Sequence, residues 1–143
     1  MKPTLEPGMT HRFSYMVPEN KTVPHTFPES PEIAAMPKVF ATGYMIVLME
    51  WVCTQLLAPH LDPGEGSVGV HVDVSHLAAT LPGMTVTVDV ECSEVVGQRV
   101  SFNVKAHDGI DLIGEGRHDR FVVMWDKFNA RLAAKAAKLA QVA

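Results

Sequence analysis

The chain carries two hydrophobic periods, and the change between them falls after Pro59. Ahead of it the strongest signal is a solid apolar run. From Tyr44 to Val52 every residue is apolar except Glu50, and a helix that is apolar on all sides is a buried helix. The run is shorter than the roughly 20 apolar residues of a bilayer span. It predicts the central helix of a globular domain, from about Thr42 to Leu57, stopped by Pro59. Beyond Asp62-Pro63-Gly64-Glu65-Gly66, a segment with turn chemistry, the period becomes two. Val68, Val70, Val72 and Val74 alternate with glycine or polar residues. After Leu81-Pro82-Gly83 the same pattern runs through Val86, Val88, Val90 and Cys92, and after Val96-Gly97-Gln98 through Val100, Phe102, Val104 and Ala106. Leu112 to Trp125 predicts a further strand, whose alternation is broken where Gly114 and Gly116 share a face. Missing side chains there let a helix or a ligand approach the backbone.

Short turns separate these four strands, so they are expected to form an antiparallel meander with one apolar face. Phe13, Tyr15 and Val17 add a first strand within residues 10–17. Residues 1–9 read as a loose lead-in. Residues 18–37 hold Pro18, Pro24, Pro28 and Pro31 and read as a lid-like loop with a short helical turn at Pro31–Met36. In residues 126–143, Phe128, Leu132 and Leu139 continue a face begun by Trp125, flanked by Lys127, Arg131 and Lys138. That predicts an amphipathic helix docked on the outside of the sheet or on a neighbouring subunit. The whole is one α+β domain, 1–143: a curved antiparallel sheet of about five strands wrapped around one long helix, followed by a C-terminal helix.

Composition narrows the partners. A formal net charge of -4 lacks the basic excess that nucleic-acid binding requires. No basic segment followed by an apolar one precedes residue 10, so neither a secretory leader nor membrane insertion is expected, and a cytoplasmic location is. Cys53 and Cys92 have neither metal-ligand nor redox spacing and read as reduced, buried thiols.

Glu50 carries the first candidate chemistry, since a carboxylate in an apolar run is paired, protonated or functional. His76 continues the even series Val68–Val74, which points it to the helix-covered face unless a bulge intervenes. A histidine there is either a core group bonded to backbone or a proton carrier beside Glu50. Thr42 opens the helix, as an N-cap or as a hydroxyl at the positive end of the helix dipole. Gly69 marks either a bulge or backbone open to a ligand carbonyl. His71 and Asp73 fall on the polar face, where a solvated pair is expected and no metal site. His118 and Arg120, in the irregular last strand, are either surface residues or ligand contacts.

Several segments together resemble the fluoroacetyl-CoA thioesterase family, within the hotdog-fold thioesterases. They are Val39-Phe40-Ala41-Thr42 with Leu48-Met49-Glu50, then Val68-Gly69-Val70, Val74-Ser75-His76-Leu77-Ala78-Ala79-Thr80, Gly83-Met84-Thr85-Val86, and Ile113-Gly114-Glu115-Gly116 with His118-Asp119-Arg120-Phe121-Val122-Val123. The resemblance implies a hotdog fold, a homodimer or higher oligomer, and an acyl-CoA site at the subunit interface. It implies hydrolysis of a short-chain acyl-CoA, with Thr42, Glu50 and His76 matching the family's catalytic residues. Gly69 and Arg120 would contact substrate. It implies no resident cofactor, coenzyme A being part of the substrate. In the fluoroacetyl-CoA enzyme a phenylalanine-bearing lid covers the acyl group. The corresponding stretch here, Ile33-Ala34-Ala35-Met36, has no aromatic residue, which gives Ile33 and Met36 the acyl-facing positions. A hotdog dehydratase or hydratase, or a non-catalytic acyl-CoA or small-ligand binder, is the alternative reading.

Overall fold

The inward valines of the central strands leave almost no surface exposed, and they define where the core sits. In the computed structural model, which describes residues 1–142, strand β1 spans Thr10–Met16 and β2 Glu65–His76. Strands β3, β4 and β5 are Thr85–Val96, Arg99–His107 and Leu112–Met124. Val86, Val88, Cys92, Val100, Phe102 and Ala106 are fully buried, as the period of two requires of strands with one covered face. Helix α2, Thr42–Leu57, lies across that face and contributes Met45, Leu48, Met49, Val52, Cys53, Leu56 and Leu57 to the core. Both cysteines are buried free thiols. The short helix α1, Pro31–Ala34, sits inside the predicted lid, with Ser30 Oγ accepting from Ile33 N–H.

The sheet is antiparallel, in the order β1-β3-β4-β5-β2. The expected four-strand meander is therefore only partly formed. β3, β4 and β5 follow one another as hairpins, but β2 pairs with β5 at the far edge and β1 takes the place beside β3. The connection after His76 is the reason. It is no tight turn: Thr80 O accepts from Phe40 N–H and Val17 O from Gly83 N–H. The chain thus passes the N-terminal end of α2 on its way to the other side of the sheet. This leaves β2 with one free edge.

Two further expectations change. Helix α2 is not enclosed on all sides, because the sheet wraps one flank only. Val47 and Trp51, on the other flank, are 55% and 46% exposed. Helix α3, Trp125–Val142, does not dock on the outside of its own sheet: none of its described residues is buried. Only its start is anchored, where the Trp125 indole occupies the space a side chain at Gly66 would need and meets Phe128 edge to face at 5.7 Å. Ala143 lies outside the described residues.

Candidate active site

Two polar groupings interrupt the apolar face between α2 and β2. The first is at the start of α2. Ala41, not Thr42, is the N-cap, and no side chain caps the helix. The Thr42 hydroxyl is instead hydrogen-bonded to His76 Nδ1 at 2.6 Å. His76 Nε2 is buried and has no partner among the described residues. Burial lowers the His76 pKa, opposed in part by the Ala78 backbone, so the imidazole is biased to its neutral form. Thr42 and His76 line a cleft of about 390 Å³ with Val39, Phe40, Leu77 and Ala78. The uncapped first turn of α2 presents N–H groups and the positive end of the helix dipole there.

The second grouping surrounds Glu50, two turns further along α2. Its Oε1 lies 3.6 Å from Arg120 Nη1 and 3.7 Å from His118 Nε2. His118 and Arg120 are both buried, which corrects the surface role considered for them. The cause is register. Val100, Phe102, Val104 and Ala106 face the helix, and their β5 partners are Arg120, His118, Gly116 and Gly114. The inward row of β5 is thus glycine, glycine, histidine, arginine, followed by the buried Val122. Counting back from Val122 in steps of two along the sequence would have found both polar residues. Arg120 is further held by Ser67, through Nε to the hydroxyl at 2.8 Å and Nη2 to the carbonyl at 3.0 Å. Ser67 had no sequence signal of its own. Desolvation lowers the Arg120 pKa, partly offset by Glu50.

Gly69 sits between these residues. A Cβ there would lie 2.6 Å from Glu50 Oε1 and 3.2 Å from His118 Cε1, so the glycine makes room for the carboxylate. The β2–β5 register shifts between Gly69 and His71, a bulge. Before it Ser67 and Gly69 face the helix. After it Val72, Val74 and His76 do, paired with His118, Gly116 and Gly114. The even-residue rule thus holds for His76 and fails for Val70, which is the extra residue of the bulge.

Within one chain, then, Thr42 joins His76 and Glu50 joins Arg120, His118 and Gly69. The anticipated contact of Glu50 with His76 is not made inside the subunit: Thr42 and Glu50 are separated by roughly 12 Å of helix axis. Ile33 is half-buried and Met36 is 46% exposed. Neither lines the Thr42–His76 cleft. His71 and Asp73 are exposed.

A curved five-stranded antiparallel sheet around one helix, with Thr42, His76 and Glu50 between that helix and the β2 edge, is the architecture of the hotdog-fold thioesterase superfamily, to which the chain belongs. Within it, the chain belongs to the fluoroacetyl-CoA-specific thioesterase family (FlK), whose model matches residues 17–126. A fluoroacetyl-CoA thioesterase of Streptantibioticus cattleyicolor is 51% identical over 135 residues, which are 94% of this chain and 97% of that protein. A solved structure of the fluoroacetyl-CoA thioesterase FlK superimposes with a TM-score of 0.90 at 51% identity, covering 92% of this chain and 97% of the other. A hypothetical protein of Thermus thermophilus, described as a thioesterase superfamily member, superimposes with a TM-score of 0.88 at 30% identity over 99% of both chains.

Proposed function

We propose that this chain hydrolyses the thioester of a short-chain acyl-CoA at a site assembled between two copies of itself. The observation that carries the reading is the Thr42–His76 pair at the uncapped start of α2, with His76 Nε2 unspent. A thioester carbonyl beside the first turn of the helix meets N–H donors where negative charge develops on its oxygen. Thr42 orients the reacting groups, and His76 carries the proton between water or carboxylate and the leaving thiolate. Glu50 is the nucleophile or the base on water. Crystals of FlK variants contain fluoroacetate with CoA, or acetyl-CoA, and an acyl-CoA of that size is the substrate class assigned here. Ile33 and Met36 are assigned to the lid over the acyl group. Coenzyme A enters as part of the substrate, and the reading assigns no resident cofactor. The buried free thiols suit the cytoplasm, and no described helix is long and apolar enough to cross a membrane.

The second copy follows from the edge. β2 has one unpaired side and exposes Val70 and Val72 on it, 47% and 41%; an open apolar edge is a template for strand pairing. A two-fold axis runs the second β2 antiparallel to the first. With the axis at Asp73, Val72 of one copy opposes Val74 of the other, and His76 stands opposite the Gly69-Val70 bulge. The Thr42–His76 pair then meets the Glu50 grouping across the interface.

The test is a panel of acyl-CoAs followed by release of free thiol. Glu50→Ala and His76→Ala are each expected to lower kcat by roughly 100-fold or more. Wild-type rates in either variant would overturn the assignment. Product that keeps its thioester would identify a hydratase, and saturable binding without turnover a ligand carrier.

A further inference from the structure

We propose that His118 is a positioning residue for the Glu50 site, a neutral hydrogen-bond acceptor that holds the Arg120 guanidinium against the carboxylate. The proposal rests on the thioesterase reading for its kinetic consequences only. Its chemistry follows from what each neighbour can do. His118 Nδ1 is 2.8 Å from the carbonyl oxygen of His71, at the bulge. A carbonyl only accepts, so Nδ1 bears the proton. On the other side, His118 Nε2 is 3.2 Å from Arg120 Nη1. A guanidinium only donates, so Nε2 must offer its lone pair. The tautomer is fixed from both ends.

The groups packed around the ring act in the same direction. Arg120 lies beside it on β5, Glu50 faces it from α2, Phe102 is its partner on β4 and Asp119 follows on the opposite face of the sheet. Cys53 on α2 approaches Arg120, and burial raises its thiol to about 12, so it adds no charge near neutrality. Burial lowers the His118 pKa and Arg120 lowers it further, against the His71 carbonyl and the two carboxylates. The ring is therefore neutral at pH 7. It takes up a proton only below the ordinary histidine value of about 6.5. Protonation would place an N–H against the Arg120 N–H and would turn Nε2 into a donor facing Glu50. Arg120 would lose one of its three anchors, keeping the two from Ser67.

The full-length chain is tested with two substitutions. His118→Gln can place an amide oxygen where Nε2 was and does not titrate. His118→Leu keeps bulk and removes the acceptor. His118→Gln is expected to keep kcat within about threefold, and His118→Leu to lose about 10-fold or more with KM little changed, as for a group that orients rather than binds. The acid side of the kcat profile should extend to lower pH in His118→Gln than in wild type. His76 titrates in both proteins and cancels from the comparison. Nitrogen NMR of the imidazole reads the tautomer directly, and the Arg120 Nη signals read how firmly the guanidinium is held. A proton on Nε2 at pH 7, Arg120 signals unchanged in His118→Leu, equal losses in both variants or an unshifted acid limb would each overturn the proposal. If wild type hydrolyses no thioester, the thioesterase reading fails, and the two NMR measurements still decide whether His118 holds Arg120.

Discussion

Gly69 shows how much of the site depends on an absent atom. Its backbone is not in the left-handed region, so alanine is conformationally allowed. The obstacle is steric, since the added carbon would fall 2.6 Å from Glu50 Oε1 and 3.2 Å from His118 Cε1. The carboxylate has room to swing toward its exposed side, being 30% accessible, so the chain should fold and the site should not. Gly69→Ala is expected to lower kcat/KM by about 10-fold or more, on the view that a small displacement of a reacting group is costly. Its thermal midpoint should fall by only a few degrees. Comparison of the two by acyl-CoA kinetics and calorimetry decides it, and an unaffected kcat/KM would mean that Glu50 does not need its present place. The sequence marked Gly69 as a bulge or an open backbone, and the bulge is there. That its missing side chain accommodates Glu50 was not legible, because it depends on a contact between elements far apart in sequence.

At the level of elements, periodicity was a good guide where a strand carries apolar residues at every inward position. β3 and β4 are central, and their valines, Phe102 and Ala106 are buried as the alternation requires. Helix α2 runs from Thr42 to Leu57, within the limits set by the apolar run and Pro59. Periodicity failed at β2, where the bulge changes which residues face inward, and at β5, where polar side chains occupy inward positions. Both failures lie at the candidate site, and functional sites are where local pattern is expected to yield. The order of the strands was also hidden, because a proline-glycine turn fits a hairpin and a longer connection equally well. Gly114 was read correctly as a point of close helix approach: a Cβ there would lie 2.7 Å from Met45 Sδ and 3.1 Å from Ser75 O. Gly114→Ala should therefore destabilise by about 1–3 kcal/mol, the usual range for overpacking. The flexible Met45 side chain places it at the lower end, and the backbone oxygen keeps it above zero. Urea unfolding measures it, and an unchanged midpoint would show that β5 and β2 yield without cost.

For the molecule as a whole, the division of the site is the strongest argument for its assembly. One subunit separates Thr42 and His76 from Glu50, and the proposed second copy would join them without breaking α2. This can be tested without another structure. Glu50→Ala and His76→Ala subunits are each prepared inactive, unfolded together, refolded, and assayed. If each site takes Glu50 from one subunit and Thr42–His76 from the other, a mixed dimer has one site with both lesions and one site intact. Random pairing then restores roughly a quarter of the wild-type activity, because half the dimers are mixed and each of those has one working site of two. If each subunit carries a complete site, mixing restores nothing. A Val72→Asp substitution in both subunits should abolish the rescue and shift the chain toward monomer in sedimentation, since buried like charges on paired edges oppose association. Rescue that survives Val72→Asp would place the shared site at a different surface of the subunit.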